Sequence, residues 1–169
     1  MADDPAPKAP SDAETSPAMR THDHAACVAR ALDAAEAATA ATGARFTPVR
    51  RKALEILLES HTALGAYDLL ARLAEAGFGD KPPVAYRALD FLVECGFAHR
   101  IERLNAFVAC TRPGEGHEPA FMICRECRAV AETRAAPAAV RDDAAEIGFK
   151  IETTVVEAEG LCPKCQATP

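Results

Sequence analysis

Apolar residues recur at helical spacing through most of the first hundred positions and at strand spacing after them. From His24 to Ala41 the stretch AACVARALDAAEAATAA is alanine-rich with only a modest apolar stripe, which predicts a helix that needs a partner surface. Thr47-Pro48 predicts an N-cap followed by proline at the first helical position, with Val49, Ala53, Ile56 and Leu57 recurring behind it. A short helix is predicted from Ala66 to Ala76, stopped by Gly77. The sharpest pattern runs from Lys81 to Gly96. Pro82 and Pro83 open it, Gly96 closes it, and Val84, Ala88, Phe91, Leu92 and Cys95 are expected on its core face. Arg87, Asp90 and Glu94 fall on the wet face, with Tyr86 beside them.

Strand-like runs follow. Phe97 to Glu102 and Ala106 to Cys110, around Arg103-Leu-Asn105, predict a β-hairpin. Helices, then a proline-started helix, then a hairpin are the ingredients of a winged helix-turn-helix. Beyond Cys110 the composition changes. Thr111 to Gly116 reads as a loop, Ala120 to Ile123 and Ala129 to Glu132 as strands, Pro137 to Ile147 as a helix, and Lys150 to Glu157 as a strand. The predicted fold class is α+β. The predicted organisation is a disordered acidic tail over residues 1–20, a winged helix-turn-helix domain over 21–107 and a small α/β domain over 108–169, with the boundary inside Arg103 to Arg112.

Composition adjusts this picture only in part. With 169 residues, 49% of them hydrophobic, the chain can bury a core. No apolar run approaches the roughly 18 to 20 residues a membrane helix needs, so no membrane partner is expected. The N-terminal stretch MADDPAPKAPSDAETSP lacks the basic start and apolar run of a secretory signal, and a cytoplasmic location is predicted. The net charge of −6 speaks mildly against nucleic-acid binding. Locally, however, Arg45, Arg50, Arg51 and Lys52 place four cations within eight residues with no carboxylate among them. Such a cluster is either a solvated helix start or an electrostatic footprint.

The chemistry lies in cysteine and histidine. Cys124-Arg-Glu-Cys127 and Cys162-Pro-Lys-Cys165 each offer two sulfurs on one small knuckle, and two such pairs supply a closed tetrahedral shell for structural zinc. A single pair would equally suit a redox dithiol; two pairs, in a chain expected in a reducing compartment, point to metal. His99, Cys110, His117 and Glu132 form a second candidate set whose mixed donors suit zinc better than hard ions. Taken singly, each has a commoner explanation: a hydrogen-bonded histidine, a core cysteine, a solvated glutamate. Cys27 and Cys95 sit among apolar helical neighbours and read as core. His22 and His24 lie at the margin of the tail, and His61 reads as a helix C-terminal residue facing the last carbonyls.

Six ordered segments carry a resemblance. Arg45-Phe-Thr-Pro-Val-Arg50, Ala66-Tyr-Asp-Leu-Leu70, Lys81-Pro-Pro-Val-Ala-Tyr-Arg-Ala-Leu-Asp-Phe-Leu92, Gly96-Phe-Ala-His99, Phe121-Met-Ile-Cys-Arg-Glu-Cys127 and Gly160-Leu-Cys-Pro-Lys-Cys165 resemble the ferric uptake regulator family, and most of all its zinc uptake regulator branch. The resemblance runs from about Ala25 to Cys165. It implies a homodimeric repressor of zinc uptake genes that binds double-stranded operator DNA, with no enzymatic activity and no small-molecule substrate. It also implies two zinc ions per subunit. Cys124, Cys127, Cys162 and Cys165 match the structural site, and His99, Cys110, His117 and Glu132 the regulatory one. Tyr67 resembles a family DNA contact, Tyr86 and Arg87 carry over from the recognition helix, and Arg45, Arg50, Arg51 and Lys52 would serve phosphates.

Two departures matter. Gly116-His-Glu-Pro-Ala-Phe121 holds one histidine where the iron and peroxide branches are similar to one another in carrying a histidine-rich run. Pro82-Pro-Val-Ala-Tyr-Arg87 lacks the hydroxyl that the family places at this helix start. The alternatives are a relative that senses another metal or peroxide and, more distantly, a zinc-containing thiol oxidoreductase. A zinc hydrolase would need an open metal position and a nearby base, and the quartet already fills four positions.

Overall fold

The computed structural model describes residues 23–113, 119–133 and 138–167. The expected tail, His22 and His117 lie outside the described residues. Four helices come first: α1 His24–Thr42, α2 Pro48–Leu58, α3 Ala66–Glu75 and α4 Pro82–Glu94. Asp23 caps α1 by accepting from the Ala26 N–H at 3.1 Å, and Gly43 ends it in the left-handed conformation at φ 70°. Proline opens α2 and α4. At the start of α2, however, Thr47 makes no side-chain capping bond.

The helices bury one apolar cluster, in which Leu54 and Leu57 of α2, Leu69 and Leu73 of α3 and Leu89 and Leu92 of α4 are almost wholly enclosed. The core face of α4 differs from the sequence expectation. It is Ala85, Ala88, Leu89, Phe91 and Leu92, while Val84 and Cys95 sit at the margin. Placing α4 against both α2 and α3 widens the buried stripe to include Ala85 and Leu89, a demand that one helix's periodicity does not reveal.

A three-stranded antiparallel sheet flanks the helices in the order β1-β3-β2, from β1 Leu64–Gly65, β2 Ala98–Ile101 and β3 Ala106–Ala109. The predicted hairpin is β2 and β3, in register Ala98↔Ala109 to Ile101↔Ala106. A 3₁₀ turn, Glu102–Leu104, joins them and ends at Asn105 with φ 45°. The second sheet has the order β5-β4-β6, from β4 Ala120–Cys124, β5 Val130–Thr133 and β6 Val156–Gly160, with α5 Ala138–Glu146 between β5 and β6. The strand expected from Lys150 to Glu157 therefore starts late. It pairs in parallel with β4 from Ala120↔Val156 to Cys124↔Gly160, so its extent follows that short partner.

The two sheets meet over a second apolar cluster. Ile101 and Val108 come from the first; Phe121, Ile123 and Val130 come from the second. Backbone bonds stitch the seam: Thr62 bridges Ala129, and the Val130 N–H donates to the His61 carbonyl at 2.9 Å. A charged clasp adds to it. Glu157 accepts from the N–H groups of Glu102 and Arg103 at 2.6 and 2.9 Å, and Arg103 forks onto Glu159 at 2.8 and 3.0 Å.

Candidate metal centres and nucleic-acid face

The four paired cysteines converge. One sulfur from each of Cys124, Cys127, Cys162 and Cys165 lies within 4.8 Å of the others. β4 runs into the first knuckle, whose return requires Arg128 at φ 59°, with the Arg128 N–H donating to the Cys124 carbonyl at 2.9 Å. The second knuckle wraps the start of α6 Pro163–Gln166, where Cys162 occupies the N-cap position. The Arg125 N–H donates to the Gly160 carbonyl at 2.9 Å and locks one knuckle to the other.

The distances suit metal and exclude a disulfide. The sulfurs of Cys127 and Cys162 are 3.7 Å apart, against about 2.05 Å for a bonded pair. A tetrahedral ion with Zn–S bonds of about 2.3 Å requires sulfurs roughly 3.8 Å apart. The local electrostatics point the same way. Backbone N–H groups of Cys127, then Cys162, lower the Cys124 thiol to about 6. Contacts with the sulfurs of Cys162, then Cys127, push Cys165 up to about 12. The Cys124 thiolate is favoured while Cys127 and Cys165 are held back as thiols, an imbalance that a divalent cation among the four sulfurs would offset.

A second cluster lies at the seam between the sheets. Ligand atoms of His99, Cys110 and Glu132 all fall within 4.8 Å of one another. His99 is on β2, and Cys110 follows β3, where its N–H donates to the Phe97 carbonyl at 2.9 Å. Glu132 is on β5, opposite Phe121. Strand alternation sets Glu132 on the same face as Val130, whose side chain joins the apolar seam, so a carboxylate only 7% exposed occupies an apolar position. It is well held there. Its Oε2 accepts from the Thr111 N–H at 2.9 Å and the Thr111 hydroxyl at 2.8 Å. Its Oε1 lies 3.7 Å from His99 Nε2 and 3.4 Å from the Arg112 guanidinium. A thiol, an imidazole and a carboxylate at this spacing fit zinc, and His117, the fourth expected member, lies outside the described residues.

The cation cluster divides. Arg45, Arg50 and Arg87 line one groove of about 690 Å³ together with Lys81 and Thr47, and no carboxylate lines it. Arg50 lies over the Phe91 ring at 3.7 Å and donates to the Arg45 carbonyl. Arg51 instead pairs with Glu36 and, at 3.1 Å, with Glu55, while Lys52 reaches Glu55 at 3.3 Å. Tyr67 and Tyr86, 69% and 43% exposed, open into a different cleft, lined also by Asp68, Asp90 and Glu94. Thus the structure joins Arg87 to the cationic groove and sets the two tyrosines in a separate cleft.

Sequence reasoning missed three participants. Lys81 was visible only as a helix flank. Thr47, expected as a cap, lines the groove instead, and among the described residues its buried hydroxyl has no hydrogen-bond partner. Arg112 came with no motif at all. His24, expected at the margin of the tail, meets the Glu59 carbonyl at 3.1 Å at the end of α2, and the His61 ring stands edge-on to the His24 ring, centroids 5.3 Å apart. Cys95 packs against the helical core, whereas Cys27 shares a cavity of about 270 Å³ with Cys110 and His61.

Fold and sites define a class: a winged helix-turn-helix protein with an appended α/β unit and two clusters able to hold metal. No family model matches the chain. It is 42% identical over 139 residues to the zinc uptake regulation protein of Escherichia coli K12, covering 79% of this chain and 80% of that protein, and equally similar to that of Shigella flexneri. The structure of a zinc uptake regulator complexed with zinc and DNA matches with a TM-score of 0.74 at 38% identity, covering 86% of this chain and 97% of that one. Holo XcZur matches with a TM-score of 0.72 at 37% identity, covering 81% and 97%. The chain belongs to the ferric uptake regulator family, in its zinc uptake regulator branch.

Proposed function

We propose that this protein is a zinc-responsive repressor that binds operator DNA as a homodimer in the cytoplasm and controls zinc uptake genes. The observation that carries the reading is the meeting of His99 and Cys110, from the first sheet, with Glu132 from the second. In this reading Cys124, Cys127, Cys162 and Cys165 hold structural zinc, and His99, Cys110, His117 and Glu132 hold the regulatory ion. Two ions per subunit follow. The helices with β1, β2 and β3 act as the DNA-binding domain, so that its boundary falls after Ala109 and not inside β3, and the unit built on β4, β5 and β6 acts as the dimerisation domain.

When bound, zinc at the mixed site supplies a link across the seam. The chain prepares that link. Thr111 fixes the plane of the Glu132 carboxylate, the Phe97 carbonyl anchors Cys110, and the Val130–His61 bond aligns β5 with the end of the helical unit. Fixing the angle between units in each subunit sets the spacing of two α4 helices to that of two half-sites. Ordering the seam beforehand removes an entropic cost from DNA binding, and by linkage DNA tightens zinc by the same factor. Arg87 reads a base edge, Arg45, Arg50 and Lys81 contact phosphates, and Tyr67 and Tyr86 approach the duplex from their own cleft. Met122, Val140, Ile147, Phe149 and Val155 are exposed on the second unit, apolar side chains that contact with a second copy would cover.

Among the described residues no helix is long and apolar enough to cross a membrane. The reading involves no catalysis, since a four-sulfur shell leaves no substrate position. The deciding experiment selects binding sites from a random DNA pool with and without zinc, iron(II) or manganese(II). Zinc alone should enrich a two-fold symmetric sequence. Enrichment without metal, or equally by all three, would overturn the proposal.

A further inference from the structure

We propose that Arg112 is an internal competitor for the metal at the mixed site, a resident cation whose hold on Glu132 sets how much zinc the protein needs. The inference rests on the regulatory reading above. The two oxygens of Glu132 keep different company. Oε2 is committed to Thr111 through two short hydrogen bonds. Oε1 is the oxygen nearest His99, at 3.7 Å, and therefore the one a metal shared with His99 would use. Arg112 occupies that same oxygen from 3.4 Å. Its place is fixed at both ends, because its own N–H donates to the Cys110 sulfur at 3.3 Å and its side chain is only 18% exposed.

The consequences have opposite signs. Without metal, Arg112 compensates a buried carboxylate that would otherwise be poorly solvated. With metal, the guanidinium is a like charge beside a divalent ion in a partly dehydrated pocket, where repulsion is weakly screened. Arg112 thus stabilises the metal-free protein and weakens zinc binding, which raises the zinc concentration at which the site fills. A residue that only supported the fold would do the reverse, because its loss would loosen the ligands and weaken zinc.

The test uses the full-length protein with its cysteine cage loaded, titrated against a chromogenic zinc chelator to obtain the affinity of the mixed site. Arg112→Gln should tighten zinc about tenfold, and Arg112→Lys, which keeps the charge but loses the planar fork, about threefold. The gap in thermal midpoint between metal-free and loaded protein should widen in the same order. An unchanged or weaker affinity in folded Arg112→Gln overturns the proposal. If that variant does not fold, the lysine variant decides by the same criterion. Glu132→Gln separates the two levels of inference. If it leaves the second zinc in place, the regulatory reading itself fails. If it removes that zinc while Arg112→Gln leaves the affinity unaltered, only the role of Arg112 fails.

Discussion

The cysteine cage and the mixed site both gather metal-ligating atoms within 4.8 Å, yet the chain builds them in contrasting ways. The cage is local to one sheet. Its knuckles end neighbouring strands β4 and β6, and a backbone bond from Arg125 to Gly160 extends their pairing into the knuckles. The mixed site draws on two sheets and rests on the apolar seam between them. A metal held by one unit stabilises that unit, whereas a metal held across a seam stabilises one arrangement of two units. Under the proposed function, the difference teaches that similar ligand chemistry would serve as a staple or as a switch according to which elements supply it.

The harshest way to break the comparison is Cys124→Ser. Cys124 is enclosed at the end of β4 and accepts the Cys162 N–H at 3.4 Å, so its loss removes a ligand and loosens both knuckles. The expected outcome is loss of one zinc, loss of the cooperative unfolding transition of the second unit, and a monomer on size exclusion. A folded, dimeric Cys124→Ser protein would show that the cage is no staple.

The next variant probes the switch. Cys110→Ser should keep the fold and the cage zinc, lose the second zinc and abolish the zinc response of DNA binding, an effect on the order of a hundredfold if the coupling matches that of other allosteric pairs. Zinc stoichiometry and fluorescence anisotropy on labelled DNA measure both. If Cys110→Ser unfolds as Cys124→Ser does, the two sites share one role and the contrast disappears.

How far these sites were legible follows from where their order comes from. The C-x-x-C pairs announce themselves because each knuckle is local. Glu132 was readable as a strand residue, but its burial depends on a seam formed with residues some 30 positions earlier, and periodicity carries no such information. Resemblance supplied that membership. Arg112 lay beyond both routes, since only coordinates put its guanidinium on a carboxylate twenty residues ahead. The core face of α4 and the start of β6 were misjudged for a related reason: each is set by its partners, α2 and α3 in one case and β4 in the other.

A smaller effect sharpens the DNA-facing side. Arg87→Ala should cost about 1–3 kcal/mol of discrimination between specific and random DNA if the guanidinium reads a guanine edge. Arg45→Ala should weaken both alike and reduce the salt slope by about one. Arg51→Ala should do less than Arg45→Ala, because Arg51 is already committed to Glu36 and Glu55. Anisotropy titrations across a range of salt concentrations separate the three, and an Arg51 effect equal to that of Arg45 would mean that those ion pairs yield to phosphate.

The mildest perturbation tests whether the seam has a hold of its own. Arg103 forks onto Glu159, and Glu157 caps the 3₁₀ turn of the wing, so β6 grips the winged unit at a point distant from the mixed site. Both partners of the fork are solvent-facing, and such pairs contribute little to stability and are screened by salt. Arg103→Ala should therefore leave the thermal midpoint nearly unchanged. Its effect belongs instead on the arrangement of the units. With fewer contacts across the seam, more of the ordering falls to the regulatory metal, and apparent zinc affinity for DNA activation should drop by a few-fold at low salt and converge on that of the parent at high salt. Glu157→Gln should do more, since it removes the charge that accepts two backbone N–H groups instead of one end of a screened ion pair. If both variants leave zinc activation unaltered at low salt, the metal alone holds the seam, and the contrast between staple and switch is stronger than the clasp suggests.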